Sequence, residues 1–342
     1  MVKQDLLSMT VEEIEAIMQG FGEAAYRAKQ LWGWLHLRHV TSFFQMQNIP
    51  KKLIEKLDAE YFIATAIANT TQVSKKDGTV KYLFAMHDGA FIEAVAMQYN
   101  HGNTVCISTQ VGCRMACSFC ASAEGGLVRN LTAGEMCAQV YAAQQDGQRI
   151  SGVVLMGCGE PLDNLPQTLR FIELITHKDG ANIGARHITI STCGLVPQMQ
   201  ELAAQKLQVT LAVSLHAASD SVRQELMPIA KSYPLHMLIA ACKEYVQLTG
   251  RRITFEYALV SGLNDTPAHA QGLAKLIRGI NCHVNLIPIN KARGSYQPTT
   301  RKNAENFATM LQAAHIPTTI RRSLGGDVDA ACGQLRARQR TL

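Results

Sequence analysis

Residues 106–120 read CISTQVGCRMACSFC. The first part belongs to a strand-like run, TVCISTQ at 104–110, rich in Val, Ile and Thr. The second part sets Cys113, Cys117 and Cys120 in a C-x3-C-x2-C spacing just beyond that strand. Three thiolates are one fewer than a closed structural zinc site or a simple iron–sulfur cluster uses. A cluster held by three cysteines leaves one iron open to a substrate or cofactor, which turns an electron carrier into a reagent. The other reading is a zinc site with a distant fourth ligand, Cys106 or Cys137. Against it, the triplet does not split into the paired knuckles that zinc favours.

Downstream, six further strand-like runs recur: GVVLMG (152–157), HITIST (187–192), VTLAVSL (209–215), ITFEYALV (253–260), HVNLIP (283–288) and TTIRR (318–322). Amphipathic segments such as TAGEMCAQVYAAQQ and PAHAQGLAKLIRG separate most of them. Strand and helix alternating in this way predict βαβ units and a parallel sheet. The expected class is α/β, a partial (β/α)6-type barrel. Upstream, residues 1–60 read as helices, with Thr10 and Glu13 as a capping box. Residues 70–99 switch to period two in TVKYLFAM and AFIEAVAM, with tight turns at Asp77–Gly78 and Asp88–Gly89. The expected organisation is a helical module plus β-meander at 1–99, a core at 100–322 and a tail at 323–342.

In barrels of this kind, chemistry sits at the C-terminal ends of the strands. Gly157-Cys158-Gly159-Glu160-Pro161 ends the second run, Ser191-Thr192 the third, Ser214-Leu215-His216 the fourth, and Asn290 follows the sixth. Singly, each has an ordinary reading as a glycine turn, a helix cap or a satisfied histidine. Together with the cysteine triplet they make five unusual places on one rim. Glu160 suits a charge-assisted hydrogen bond from an ammonium, and its flanking glycines let a ligand approach the main chain. The tail GGDVDAACGQLR carries a further cysteine, Cys332, among glycines. Asp327 and Asp329 should raise its pKa, while Arg321, Arg322 and Arg336 should lower it.

Composition narrows the setting. The chain has 342 residues, 47% hydrophobic and 18% charged, enough for a substantial core and unlike a disordered chain. No apolar run reaches membrane-span length, and the first residues carry acids where a signal peptide needs an apolar stretch. A cytoplasmic protein without membrane contact is expected. Ten cysteines in a chain of this size argue against a secreted disulfide framework, and Cys137 and Cys242 sit in helix-like apolar patterns as core residues. A net charge of +6 is a modest bias towards acidic partners. Most basic pairs, such as Lys51–Lys52 and Lys75–Lys76, read as solvated surface.

The segments CISTQVGCRMACSFC, GCGEP, ITISTCG, VSLHA, HVNLIPIN and DVDAACGQLR, in this order, resemble the RlmN/Cfr family of radical S-adenosylmethionine (SAM) RNA methyltransferases. The resemblance covers essentially the whole chain, and the DAACGQL tail is its most specific element. GEPLDN and NLIPIN look like the branch that methylates adenine C2, not the antibiotic-resistance branch acting at C8.

The resemblance implies a [4Fe-4S] cluster on Cys113, Cys117 and Cys120, and two SAM molecules per turnover. It implies SAM contacts at Gly159, Glu160, Ser191, Ser214, Leu215, His216 and Asn290. It also implies a ping-pong route in which Cys332 takes a methyl group, Glu93 accepts the C2 proton, and Cys106 closes a transient disulfide with Cys332. Read from the residues alone, Glu93 is only an acid in a strand-like run and belongs on the surface. The implied substrates are 23S rRNA at adenosine 2503 in the usual numbering, and adenosine 37 of transfer RNAs. A flavodoxin or ferredoxin would supply electrons to a monomeric enzyme. Three alternatives stay open: C8 methylation, a radical SAM enzyme acting on a non-RNA substrate, and a non-catalytic metal-containing RNA-binding module.

Overall fold

The computed structural model describes residues 3–100, 102–145, 149–289, 296–321, 325 and 327–328. The chain opens with helices α1 (Val11–Gly20), α2 (Tyr26–His36) and α3 (Lys51–Glu60), framed by the paired short strands β1 (Gln4–Asp5) and β2 (Tyr61–Phe62). Thr10 caps α1 as predicted. Its hydroxyl accepts from the Glu13 N–H at 3.3 Å, and the Glu13 carboxylate accepts from the Thr10 N–H at 2.7 Å. Ile14, Met18, Leu31, Leu35 and Leu57 bury the apolar faces of the three helices completely.

The meander follows as β3 (Ile67–Val73), β4 (Val80–Ala85) and β5 (Phe91–Tyr99), all antiparallel. Gly78 and Gly89 take φ of +70° and +81° in the two turns, where a side chain would be strained. Strand β3 begins earlier than the period-two signal suggested. It is a largely exposed edge strand built on Ala, Asn, Thr and Gln, so burial leaves little hydrophobic mark on its sequence.

The barrel strands are β6 (Gly102–Cys106), β9 (Ile150–Leu155), β10 (Ile188–Thr192), β11 (Thr210–Ser214), β12 (Ile253–Leu259), β13 (Cys282–Pro288) and β14 (Thr318–Ile320), each parallel to the next. Helices α4 (Ala133–Gln145), α5 (Leu165–Thr176), α6 (Val196–Ala204), α7 (Asp220–Leu226), α8 (Leu235–Thr249), α9 (Pro267–Leu276) and α10 (Arg301–Ala313) lie between them in sequence. The ten-stranded order β14-β13-β12-β11-β10-β9-β6-β5-β4-β3 runs without a break, because β5 pairs antiparallel with β6. The meander is thus an extension of the barrel wall. The expected single strand 104–110 divides: β6 ends at Cys106, and β7 (Gln110–Gly112) leaves the sheet to pair with β8 (Leu127–Asn130).

Side chains alternate across these strands. Ile188, Ile190, Leu211, Val213, Val284 and Leu286 are wholly buried in the main core. The intervening Thr189, Ser191, Thr210, Ser214, His283 and Asn285 are half-buried on the concave side. Parallel strands covered on both faces are normally near-continuous apolar runs. Here the alternation marks a lumen not filled by apolar side chains. Among the described residues, no helix is long and apolar enough to cross a membrane.

Candidate active site

The β7–β8 arm presents the cysteine triplet. Gly112, at φ +87°, opens the loop, and a Cβ there would fall 2.0 Å from the Gly126 carbonyl oxygen. The Cys113 N–H donates to that same carbonyl at 3.1 Å, and the Ser118 N–H donates to the Leu226 carbonyl at 2.9 Å. Burial pushes the Cys113 and Cys117 thiols each up to about 12, and the neighbouring cysteine sulfurs add in the same direction. Bare thiols here hold their protons, and bound iron would reverse that. Among the described residues, no three metal-ligating side chains are gathered tightly enough for one ion. The donor set fits a cluster in which each thiolate meets its own iron.

Gln110 ties this arm to the Gly159-Glu160-Pro161 turn. Its Oε1 accepts from the Glu160 N–H at 2.9 Å, and its Nε2 donates to Asp163 Oδ2 at 2.9 Å and Asn130 Oδ1 at 2.8 Å. Arg114, inside the triplet, pairs with the other Asp163 oxygen. Gly159 has φ +108°, and a Cβ would stand 2.6 Å from Gln110 Cβ, so the turn closes only with glycine. Glu160 is buried and caps the short turn that follows, its Oε1 accepting from the Leu162 N–H at 3.1 Å. Oε2 accepts from the Cys193 N–H at 2.8 Å, which joins the ends of β9 and β10. Burial raises the Glu160 carboxyl while these two N–H groups pull it back.

His216 follows β11 with φ +56°. Its Nδ1 accepts from the Ala258 N–H at 3.0 Å, so the ring proton of the neutral form sits on Nε2. Burial pushes it down to about 3. Phe119 of the triplet loop meets the ring edge-on at 5.0 Å. Asn264, which sequence reasoning missed, donates to the carbonyls of His216 and Ala258, each at 2.7 Å. Arg223 was missed too. It is wholly buried and donates to the carbonyls of Cys193 at 2.7 Å and Leu215 at 3.3 Å. In DSVRQEL it reads as a helix-surface charge. Ser191 and Ser214 sit on the concave side, completing the rim with Leu215, which is buried.

Glu93 corrects the reading from residues alone: it is 5% exposed, not on the surface. Its Oε2 lies 2.9 Å from Lys81 Nζ, and the Lys81 side chain is wholly buried. A buried charge persists only when paired, and β4 and β5 place this pair next to one another. Cys106 stands opposite Val95, two residues along β5 from Glu93 and therefore on the same face. Cys158 and Cys193 are also buried, which shields them from adventitious oxidation. Asn290 and Cys332 lie outside the described residues. The base of the tail is described: Ser74 Oγ donates to Asp327 Oδ1 at 2.6 Å, the Lys75 N–H donates to Oδ2 at 3.0 Å, and the Gly325 N–H donates to Asp77 Oδ2 at 2.8 Å.

A C-x3-C-x2-C thiol triplet, leaning on strand-end residues above a polar lumen, defines the radical SAM class of enzyme. Residues 107–271 match the model of the Radical SAM superfamily, and residues 4–63 match that of the ribosomal RNA large subunit methyltransferase N-terminal domain. A Clostridium perfringens protein named "Probable dual-specificity RNA methyltransferase RlmN" is 48% identical over 335 residues, 97% of this chain and 96% of that protein. A Thermoanaerobacter protein of the same name is 50% identical over 333 residues, 97% of each. A solved radical SAM methyltransferase from Sphaerobacter thermophilus superposes with a TM-score of 0.92 at 43% identity, covering 97% of this chain and 98% of that one. The chain belongs to the RlmN family of RNA methyltransferases.

Proposed function

We propose that this enzyme methylates C2 of an adenosine in 23S ribosomal RNA, at position 2503 in the usual numbering, and of adenosine 37 in transfer RNAs. Family membership supports the reaction class, and the relatives' dual specificity supports two RNA substrates. The observation that carries the chemistry is the meeting of Glu93, Lys81 and Cys106 on one concave face, beside the strand that leads to the triplet. Cys113, Cys117 and Cys120 are the residues to hold a [4Fe-4S] cluster. Gly159, Glu160, Ser191, Ser214, Leu215, His216 and Asn290 are those to hold SAM. Bound there, cluster and SAM supply methyl groups and radical chemistry at the mouth of the lumen.

The chain's own residues divide the remaining work. Cys332 accepts the methyl group as a thioether. Glu93 takes the proton leaving adenine C2, and Lys81 holds that carboxylate in place. Once the Cys332 methylene is joined to adenine C2, the Cys106 thiolate attacks the Cys332 sulfur. The S–S bond forms, the S–CH2 bond breaks, and its electron pair stays with the carbon, which takes a proton as the product's methyl group. This leaves a transient disulfide of the kind expected in a reducing compartment. Residues 1–99, with the helical module, grip RNA by shape and backbone, ahead of the core at 100–322 and the tail at 323–342. The enzyme acts as a monomer in the cytoplasm, reduced by a flavodoxin- or ferredoxin-type donor.

The test is nucleoside mass spectrometry on ribosomal and transfer RNA incubated with enzyme, SAM and reductant. The expected product is 2-methyladenosine. Finding 8-methyladenosine would move the enzyme to the C8 branch, and no methylated nucleoside from either RNA would overturn the reading. Cys332→Ala should keep its iron and lose methyl transfer.

A further inference from the structure

The concave side of β12–β14 carries a chain of hydrogen bonds that none of the roles above uses. His283 Nε2 meets Thr319 Oγ1 at 2.8 Å, Thr319 Oγ1 donates to Asn285 Oδ1 at 3.4 Å, and Asn285 Nδ2 donates to Glu256 Oε2 at 2.9 Å. Glu256 is 5% exposed. Glu256, Asn285, Thr189 and Arg321 line a cavity of about 360 Å³. Met97, Val154 and Met156 line it too, and the same three side chains cluster with Cys106. A cavity of this size is within the range that takes a small ligand such as a nucleoside. Glu256 and Asn285 put a carboxylate acceptor and an amide donor side by side on its lining.

We propose that this cavity seats the base to be methylated, and that Glu256 and Asn285 read the N6–N7 edge of adenine. The proposal rests on the RNA methyltransferase reading above. Glu256 Oε1 accepts from the N6 amine, while the second N–H of Asn285 Nδ2 donates to N7, a division of the usual amide contact with that edge. Adenine then turns its opposite edge, N1–C2–N3, towards the wall that holds Cys106. That wall is four strands away from β12 around the sheet. C8 adjoins N7 and is held against Asn285, so the same contacts select C2. Guanine presents an O6 acceptor where adenine has the amine, and it would set two acceptors face to face. Burial raises the Glu256 carboxyl, while Arg321 and the Asn285 hydrogen bond pull it back.

The proposal is tested with synthetic RNA carrying adenine, purine (no N6 amine) or 7-deazaadenine (no N7) at the target position. The wild-type enzyme should lose about 10- to 100-fold in kcat/KM with each analogue, the scale of a hydrogen bond to a charged or buried group. Glu256→Ala should discriminate against purine by less than about 3-fold, and Asn285→Ala should do the same for 7-deazaadenine. Both variants should still methylate Cys332 from SAM, read as a peptide mass shift, which also reports an intact fold. Unchanged discrimination in both variants would overturn the proposal, as would loss of Cys332 methylation alongside weakened SAM binding, which would assign the cavity to SAM. Wild-type enzyme inactive on the adenine RNA would instead overturn the function on which the proposal rests.

Discussion

Along β10, β11 and β13 the two faces of one sheet are written in alternate residues. Outward, Ile190, Val213 and Val284 are sealed under the helices; inward, Ser191, Ser214 and Asn285 line the lumen. The outer face holds the fold by burying apolar area. The inner face contributes little burial and is free to carry polar side chains at fixed heights. Stability and chemistry are separated within single strands, by one residue of offset.

Four substitutions sharpen or break this contrast. The largest effect is expected from the inner side: Glu93→Gln should slow RNA methylation by about 10²- to 10⁴-fold, the usual loss for a general base. Cys332 methylation should persist, and its loss would move Glu93 out of the proton-transfer role. Next comes the outer side. Phe255 is wholly buried, and Phe255→Ala should cost about 3–5 kcal/mol in denaturant unfolding of the reconstituted enzyme. Lumenal Thr189→Ala should cost under about 1 kcal/mol. Equal costs at the two positions would erase the contrast. Arg223→Met tests the rim between the faces. It leaves the Cys193 and Leu215 carbonyls without this donor. SAM affinity should fall about tenfold by equilibrium binding, the scale of one buried hydrogen bond left unmade. Unchanged affinity would make Arg223 a folding residue only.

The smallest effect concerns acid. His36 and His216 are both pushed down to about 3 by burial. Unfolded histidine titrates near 6.5, so below that pH the unfolded chain binds protons that the folded chain refuses. Stability is therefore complete above about pH 6.5 and declines as pH falls towards 3, by about 1.4 kcal/mol per pH unit for each histidine. His36→Phe, measured by unfolding across pH 4–7, should flatten that slope by about half of the two-histidine total. An unchanged slope would show that His36 is protonated in the fold.

The barrel strands were legible because alternation and turn glycines are local signals. Runs predicted at 187–192, 253–260 and 283–288 fall within a residue of β10, β12 and β13. The cysteine triplet and strand-end motifs were legible because they depart from any packing pattern. Lys81, Arg223 and Glu256 were not, and the reason is common to all three. A charge in isolation reads as surface, and only the tertiary partner reveals that it is buried. The start of strand β3 was misplaced for the opposite reason, the strand having almost no burial to record. The polar alternation of β10 and β13 was in plain view but is ambiguous. It suits a sheet open to water as well as one enclosing a lumen, and only the helices on the outer face decide.

The clasp at Asp327 has a topological consequence. In strand order, the sheet is a line with free ends at β14 and β3. Followed along the chain, it is a loop: from Arg321, just after β14, the chain reaches Asp327 on the turn joining β3 to β4. Arg321 and Tyr99 of β5 also line the same cavity. A ladder of backbone bonds would close such a ring permanently. Among the described residues, the circuit is completed by hydrogen bonds of the Asp327 and Asp77 carboxylates, not by a strand ladder.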